Sequence, residues 1–366
     1  MTAAATIAVY ALTAQGAASA RRLAAGLGEG ARLYLPARLV QPGQPGQPGQ
    51  SGEVGFARIA EAIAANWPEH AGHVCFAASG IVVRAIAPLL MGKAVDPAVV
   101  VCDPAGRYAV SLIAGHIGGA NALARRVAAI LGGVAVITTA TDAAGLPSLE
   151  LLAAEAGLAV ENLGALAGVS AALLDGRAVA VDDPAGWLLP RLARDWPGLF
   201  TPGPAGAEGP QVGVDWRARP PRPGELLLRP PALWTGLGCN RGTAADEMDE
   251  LLTATLAAHG LSPLALAGLV SVAVKADEPG FADLAARRGL GLKFYSAAEL
   301  DAVAVPNPSD QPARHVGTHS VAEAAAMLAA GPGGSLIVQK QKSVNVTLAL
   351  ALAPAPAPAP ALDGPR

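Results

Sequence analysis

The chain has 366 residues, with 26 Lys and Arg against 29 Asp and Glu, so its formal net charge is only −3. A near-neutral chain without a basic cluster does not suit DNA or RNA as its main partner. Its mean hydropathy of +0.39 is high, yet no uncharged apolar run reaches the roughly 20 residues of a membrane span. We therefore expect no nucleic acid and no membrane among its partners.

Three cysteines, Cys75, Cys102 and Cys239, lie far apart, with no CxxC pair and no histidine at ligand spacing. The sequence therefore predicts neither a disulfide framework nor a metal site, and a cytoplasmic location suits it. The apolar start of the chain lacks the basic residues that precede a signal-peptide core, so we predict a buried first strand there.

Short β-branched runs alternate with Ala- and Leu-rich stretches, a pattern typical of layered α/β folds. Residues 1–142 are predicted to form an N-terminal α/β domain. Its strands are predicted at 6–12, 31–35, 73–77, 98–102, 107–112 and 134–138. Its helices are predicted at 17–27, 53–66, 80–90 and 118–131. The Gln-Pro-Gly repeat at 41–49 has no apolar side chain and is predicted to be a surface loop.

The rest of the chain continues this multi-domain α/β pattern. Residues 143–231 are predicted to be a small middle section, 232–352 a C-terminal α/β domain, and 353–366 a disordered Ala/Pro tail. In the middle section we predict helices at 147–157, 163–174 and 184–195, and strands at 178–182, 211–214 and 225–229. In the C-terminal domain we predict strands at 233–237, 268–274, 292–295, 335–339 and 345–352, and helices at 244–258, 279–288 and 320–330.

Two glycine-containing turns in the N-terminal domain combine polar side chains with a helix start, where free backbone N–H groups can bind a ligand. In the first, Gly80 frees the turn, Ser79 is placed as an N-cap and Arg84 follows one turn later. The second is the cluster around His116, which follows a strand hairpin that turns at Asp103. Either set can instead be structural, since Ser79 can simply cap its helix and a lone histidine most often makes a local hydrogen bond.

A third turn, 236–243, has small residues whose N–H groups can form an anion nest, with Arg241 as a fixed charge for carboxylates. It lacks the spacing of a phosphate-binding P-loop, which does not favour nucleotide hydrolysis. Cys239 has no predictable histidine partner and is interpreted as a small turn residue. Two polar segments, 274–280 and 339–345, follow strands as this turn does. The three could therefore lie together on one face and form a positively charged opening.

These strings together resemble the CbiG family, the cobalt-precorrin-5A hydrolases of anaerobic cobalamin biosynthesis. The N-terminal resemblance runs over 77–142, through Ser79-Gly-Ile-Val-Val-Arg84 and Ile137-Thr-Thr-Ala-Thr-Asp142. The C-terminal resemblance runs over 236–347, through Gly-Cys-Asn-Arg-Gly-Thr243 and Lys275-Ala-Asp-Glu-Pro-Gly280, and is also similar to stand-alone CobE proteins.

The resemblance implies a hydrolase that acts on a cobalt-corrinoid and gives cobalt-precorrin-5B. Water opens the δ-lactone of the ring A acetate, and the extruded two-carbon fragment leaves as acetaldehyde. Cobalt belongs to the substrate, so no cofactor is required of the protein, and a precorrin methyltransferase is a candidate partner. For this chemistry His116 suits a general base, and Ser79 suits stabilisation of the oxyanion.

The candidate substrate-binding residues come from the three turns, the polar segments and the family strings. They are Gly80, Arg84, Asp103, Ser111, Gly115, Asn121, Thr139, Asp142, Gly238, Cys239, Arg241, Gly242, Thr243, Lys275, Glu278, Lys340 and Lys342. The alternative function is a corrinoid carrier without catalysis, working with a methyltransferase. The C-terminal half alone favours the carrier, whereas the strings of 77–142 favour the enzyme.

Overall fold

The computed structural model describes residues 6–41, 53–92, 95–203, 209–308 and 320–356. The chain divides into two compact units, Met1–Leu151 and Leu152–Arg366. Helices and strands alternate in both, which confirms the predicted α/β class. Most of the Gln-Pro-Gly repeat and the end of the Ala/Pro tail lie outside the described residues. No described helix is both long and apolar enough to cross a bilayer.

The first unit is built on a seven-stranded sheet. Its strands are β1 (Ile7–Ala11), β2 (Ala31–Pro36), β3 (Val54–Phe56), β4 (Gly72–Phe76), β5 (Ala98–Cys102), β6 (Tyr108–Ile113) and β7 (Val134–Val136). They are ordered β3-β2-β1-β4-β5-β6-β7, and in register Ile7 lies opposite Ala31 and Gly72. Strands β1 to β5 are parallel, whereas β6 is antiparallel to β5 and β7 is parallel to β6. The carboxyl ends of β6 and β7 therefore lie at the edge of the sheet opposite to the carboxyl ends of β1 to β5.

Helices cover both faces of this sheet. They are α1 (Ala14–Leu27), α2 (Ile59–Asn66), α3 (Ser79–Ile86) and α4 (Ala120–Leu131); the short helices α5 (Ala140–Ala143) and α6 (Leu149–Glu155) follow β7, and α6 crosses the boundary between the two units. Leu23 of α1 and Val127 of α4 are buried on one face, and Ile63 of α2 and Val82 of α3 on the other. Because both faces are covered, strands such as β5 are apolar throughout. The predicted helix 53–66 is wrong at its start, where β3 instead pairs with β2 as an edge strand.

The second unit contains two five-stranded sheets, and the first holds the middle section. Its strands are β8 (Ala159–Val160), β9 (Val179–Asp182), β10 (Phe200–Pro202), β11 (Gln211–Val214) and β12 (Glu225–Arg229), and its helices are α7 (Leu166–Leu174) and α8 (Leu189–Asp195). The order is β10-β9-β11-β12-β8, with only β8 antiparallel to its neighbour. The sequence did not predict β8 and β10, because two or three residues are too few to show a periodic pattern.

The other sheet of the second unit holds the C-terminal elements. Its strands are β13 (Leu233–Cys239), β14 (Leu266–Val272), β15 (Leu292–Tyr295), β16 (Ser335–Lys342) and β17 (Val346–Leu352). Its helices are α9 (Ala245–Ala258), α10 (Pro279–Arg288), α11 (Ala297–Asp301) and α12 (Ala322–Ala330). The order is β15-β14-β13-β17-β16. Helix α12 packs directly on β13, so closely that a methyl group at Gly236 would overlap the carbonyl oxygen of Ala322.

The middle section is attached to the C-terminal sheet by main-chain hydrogen bonds. Ala218 N donates to Gly260 O at 2.7 Å, and Ser262 N donates to Trp216 O at 3.0 Å. The Trp216 side chain packs against the core of the C-terminal sheet. Arg229, 1% exposed, donates to the carbonyl oxygens of residues 215, 217 and 219. The two sheets are thereby held in one unit.

Candidate functional site

The loop after β6 carries His116 and is fixed by its own backbone. Ala114 has a φ of 57°, a left-handed conformation that costs a non-glycine residue about 1–2 kcal/mol. Asn121 N donates to Gly115 O at 3.0 Å and so closes the loop onto the start of α4. Gly118 has no room for a side chain, because a methyl group there would overlap Ala114. The loop therefore presents His116 in one defined position.

His116 lies between two carboxylates, Asp142 and Glu150, and we call these three residues the imidazole–carboxylate cluster. Its Nδ1 is 2.7 Å from Glu150 Oε1, and its Nε2 is 2.8 Å from Asp142 Oδ2. Ionised carboxylates only accept hydrogen bonds, so both ring nitrogens donate and the ring carries two protons. The hydrogen bond to Glu150, supported by Asp142, outweighs burial and raises the pKa of His116.

The two carboxylates remain ionised because of their own hydrogen bonds. Thr139 Oγ1 and Arg125 Nη2 donate to Asp142 at 2.6 and 2.7 Å, and Asn121 Nδ2 donates at 3.0 Å. Burial raises the pKa of Asp142, but the hydrogen bonds from Thr139, Arg125 and His116 outweigh it and lower the pKa to about 2. Burial likewise raises the pKa of Glu150, but the bond from His116 helps to bring it below its ordinary value. When both carboxylates are ionised, the cluster therefore holds one imidazolium between them.

Two features of this cluster were not predicted from the sequence. Glu150 was not a candidate, since it lies 34 residues from His116 and no motif connects the two. Asn121 was a candidate, but its environment was not foreseen: it is 2% exposed, and its Oδ1 has no hydrogen-bond partner among the described residues. A buried amide oxygen in this state can accept a hydrogen bond from a water molecule or a hydroxyl group.

Ser79 and Arg84 lie at the other edge of the first sheet. They follow β4, whereas His116 follows β6, which runs in the opposite direction. A five-residue strand is roughly 16 Å long, so Ser79 and His116 cannot act on a single lactone together. The predicted N-cap role of Ser79 is also wrong: Ala78 is the N-cap, and no side chain caps the helix. Arg84 donates to Gly80 O of its own helix at 3.1 Å.

Asp103 and Ser111 belong to the hairpin that connects β5 to β6. Gly106 N donates to Asp103 O at 2.9 Å, which confirms the predicted turn. The Asp103 carboxylate accepts hydrogen bonds from Tyr108 N at 2.9 Å and Arg107 Nε at 3.2 Å. Ser111 is half-buried on β6, where it pairs with Val100. Asp103 therefore stabilises its own hairpin.

A cleft of about 570 Å³ opens in the C-terminal sheet of the second unit, and we call it the cationic cleft. Its volume is within the range of about 300–1,000 Å³ typical of ligand sites. It is lined by the residues that follow β13 and β14, by the start of α12 and by the β16–β17 hairpin. Among the described residues that line it, four side chains are cationic and none is acidic: the cations are Arg241, Lys275, Lys340 and Lys342. Gly238 and Cys239 line it as well, so six of the candidate residues meet there.

The remaining candidates of this region support the wall of the cleft. Buried Glu278 accepts a hydrogen bond from Gly242 N at 2.9 Å and lies 3.2 Å from Lys275 Nζ. The bond from Gly242 lowers the pKa of Glu278. Gly242 has a φ of 76°, in the left-handed region that favours glycine. Thr243 Oγ1 donates to Asn240 O at 2.8 Å.

Arg241 forms an exposed ion pair with Asp277. Its Nη1 is 3.0 Å from Asp277 Oδ2, and the two side chains are 63% and 67% exposed; buried Glu278 lies farther away, at 3.6 Å. The nearby acidic residues of α9 have other partners, because Asp246 pairs with Arg287 and Glu247 accepts from Ser343 and Asn345. An ion pair this exposed contributes only about 0–1 kcal/mol. Arg241 can therefore exchange Asp277 for a ligand at little cost.

Lys340 and Lys342 lie on β16 and not in a loop between strands, which corrects the prediction for 339–345. Lys340 Nζ donates to Asn307 O at 2.9 Å, and burial lowers its pKa. Lys340 N donates to Glu323 Oε1 at 2.9 Å. The two lysines alternate with Gln341, so the strand places both on the same side.

The three cysteines are free thiols, and Cys75 and Cys102 are buried. Burial raises the pKa of Cys239, which disfavours the nucleophilic thiolate. Within the part of the chain that the structure describes, no group of His, Cys, Asp and Glu side chains could hold a metal ion.

Comparisons with known proteins show which family the sequence resembles. Three family models match: "Cobalamin synthesis G N-terminal" over 61–142, "Cobalamin biosynthesis central region" over 147–230, and "Cobalamin synthesis G C-terminus" over 233–351. A cobalt-precorrin-5A hydrolase of Priestia megaterium is 33% identical over 291 residues, which are 75% of this chain and 76% of the relative. One of Salmonella typhimurium is 32% identical over 312 residues, covering 80% and 83%. Protein CobE of a Sinorhizobium species is 41% identical over 107 residues, covering 29% of this chain and 70% of that protein.

Proposed function

The chain belongs to the CbiG family of cobalamin biosynthesis, and we propose that it acts as a cobalt-precorrin-5A hydrolase. The observation that carries the proposal is the cationic cleft, whose described lining contains four cationic side chains and no acidic one. Acetate and propionate groups surround a corrinoid precursor, and fixed cations bind such carboxylates through charge-assisted hydrogen bonds. Cobalt enters with the substrate, so the proposal requires no cofactor held by the protein.

The proposed reaction has two steps. Water adds to the lactone carbonyl and the acyl–oxygen bond breaks, giving the ring A carboxylate and a hydroxyl group on the extruded two-carbon fragment. Loss of the hydroxyl proton then breaks the carbon–carbon bond and releases acetaldehyde. The bonding electron pair stays on the macrocycle, which takes up a proton. The sequence needs a base for each deprotonation and an acid for the final protonation.

The geometry of the imidazole–carboxylate cluster supports an acid role for His116. Its ring carries two protons in the resting arrangement, with both nitrogens donating to carboxylates. A doubly protonated imidazole can give a proton to the macrocycle after the carbon–carbon bond breaks. The unpartnered Oδ1 of Asn121 can accept a hydrogen bond from the attacking water molecule. Because water adds before that final protonation, the predicted base role of His116 requires the ring to lose a proton before the water attacks.

A carrier without catalysis is the second candidate, and one observation favours it. The cationic cleft lies within residues 238–347, inside the segment 233–351 that the C-terminal family model matches, and the strings of this segment resemble stand-alone CobE proteins. A binding module would need only that cleft, together with a precorrin methyltransferase as its partner. The free thiols suit a reducing cytoplasm for either function.

Acetaldehyde release separates the two candidates. The full chain is incubated with cobalt-precorrin-5A, and acetaldehyde is followed through NADH oxidation by alcohol dehydrogenase. A hydrolase releases one acetaldehyde per corrinoid, whereas a carrier binds the corrinoid, changes its visible spectrum and releases none. A Lys275→Ala variant with unchanged KM would count against the cationic cleft as the substrate site.

A further inference from the structure

Two large apolar side chains stand exposed among the cations of the cationic cleft. Val344 is 89% exposed and Val274 is 49% exposed, and both line the cleft. Single exposed apolar residues are common and need no explanation. Here, however, two of them line the same cleft, and each lies within two residues of a cation, Lys275 or Lys342. The cleft therefore offers apolar surface as well as charge.

The position of Val344 is fixed by one carboxylate. Glu247 accepts hydrogen bonds from Ser343 Oγ at 2.5 Å, from Asn345 N at 2.8 Å and from Asn345 Nδ2 at 3.0 Å. Asn240 N also donates to Asn345 O at 2.9 Å. Both neighbours of Val344 are thus tied to the body of the unit, so its side chain is held outward at the tip of the β16–β17 hairpin.

Val274 is held by a separate set of contacts. It is the middle residue of the short helical turn Ala273–Lys275 that ends β14. The next residue, Lys275, is 3.2 Å from Glu278 Oε1, and Glu278 in turn accepts from Gly242 N. The turn therefore cannot rotate Val274 inward without breaking a buried ion pair.

We propose that Val274 and Val344 form an apolar lip that packs on the methylated ring of the corrinoid, while the cations bind its peripheral carboxylates. This inference rests on the proposed function and adds a basis for its selectivity. A simple polycarboxylate can bind only the cations. A flat macrocycle with an apolar face and peripheral carboxylates can bind the cations and also cover the two valines. Removal of an exposed valine from water is favourable in proportion to the apolar area covered.

The test compares two probes on the full chain by isothermal titration calorimetry. Cobyrinic acid is a cobalt-corrinoid with free carboxylates, and butane-1,2,3,4-tetracarboxylate has carboxylates but no ring. Val344→Asn and Val274→Asn keep a similar size and remove the apolar surface. Each substitution should weaken the binding of cobyrinic acid about tenfold, because the burial of one valine corresponds to about one factor of ten in affinity. Binding of the tetracarboxylate should not change.

A matched control is Val95→Asn, since Val95 is 67% exposed in the first unit, outside the cationic cleft; it should bind both probes as wild type does. If both lip variants bind cobyrinic acid as tightly as wild type while Lys342→Ala weakens it, the lip is wrong and the proposed function stands. Equal loss of both probes in the lip variants would also overturn the lip. If instead the wild type binds cobyrinic acid no better than Lys342→Ala and releases no acetaldehyde, the proposed function itself fails.

Discussion

The imidazole–carboxylate cluster and the cationic cleft satisfy their charges in opposite ways. In the cluster, both nitrogens of His116 are within 2.8 Å of a carboxylate oxygen, and Asp142 has three further donors. In the cleft, Arg241 pairs with exposed Asp277 and also lies 3.6 Å from buried Glu278, which holds Lys275, whereas Lys342 is exposed. A histidine whose two nitrogens are already paired can control a proton, whereas exposed cations such as Arg241 and Lys342 can bind an anion.

The backbone shows the same contrast. His116 is carried by a loop that includes the left-handed Ala114, and such strain persists where surrounding structure holds the residue in place. The cleft instead takes Lys340 and Lys342 from a strand, β16, whose register with β17 shifts between Val338 and Gln341. A loop held in one conformation can position a proton-transfer group against a single substrate atom. A strand that carries several cations can contact several carboxylates of a large ligand.

The largest expected effect is on turnover in a His116→Ala variant. Loss of a group that transfers a proton lowers turnover by roughly a hundredfold or more, while cobyrinic acid affinity should stay close to that of wild type. Single-turnover acetaldehyde release measures the effect, and His259→Ala, an exposed histidine after α9, is the control. A variant that loses thermal stability but keeps full turnover on its folded fraction would make His116 a structural residue.

A Gly236→Ala variant tests whether the cleft depends on the contact between α12 and β13. The added methyl group overlaps the carbonyl oxygen of Ala322, and overpacking of this kind costs about 1–3 kcal/mol in the free energy of unfolding. Urea unfolding measures it. Gly291→Ala is the control, because nothing lies within 4 Å of a methyl group at Gly291. If the two variants unfolded at the same urea concentration, α12 would be able to move away from the added methyl group without loss of stability.

Arg241→Ala should weaken cobyrinic acid binding by roughly 1–3 kcal/mol, the range for a hydrogen bond to a charged group. Stability should change little, because the Arg241–Asp277 pair is mostly exposed. Titration at low and high salt sharpens the comparison, since salt screens exposed charges. A loss of stability with unchanged affinity would show that Arg241 only braces its loop.

The cluster should also give the free energy of unfolding a characteristic pH dependence. The pKa of His116 is raised, so its contribution is complete below about pH 6.5 and is lost as the pH rises through the raised value. The pKa values of Asp142 and Glu150 are lowered, so their contribution is complete above about pH 4.5 and is lost as the pH falls. Stability should therefore be greatest between these limits. If the free energy of unfolding of the His116→Ala variant declines above pH 6.5 as steeply as that of wild type, the decline does not come from His116.

The smallest expected effect is that of Ser79→Ala. Ser79 is exposed, caps no helix and lies at the edge of the sheet opposite to His116. An exposed substitution of this kind changes free energies by about 0.5 kcal/mol or less, so turnover should stay within about twofold of wild type. If Ser79→Ala lowered turnover as much as His116→Ala, the catalytic site would have to lie at the edge of the sheet that carries Ser79.

The sequence by itself determined the α/β class, most of the strands and helices, and the family. Alternating apolar runs are local signals, and so are the glycine turns that end strands β4, β6 and β13. The same local signals identified the cations of the cleft, because Arg241, Lys275 and the two lysines of β16 all follow or occupy strand ends of one domain. The hairpin at Asp103 was also predicted, since an Asp-Pro-Ala-Gly turn is encoded by adjacent residues.

Only the tertiary structure decided which of these residues meet. The predicted hairpin at Asp103 reverses β6 relative to β5, but only the parallel pairing of β4 with β5 places Ser79 at the edge of the sheet opposite to His116. Glu150 reaches His116 across 34 residues, a separation that no periodic pattern spans. The protonation of His116 follows from that meeting, because a pKa depends on the charges and donors that folding brings within hydrogen-bond distance.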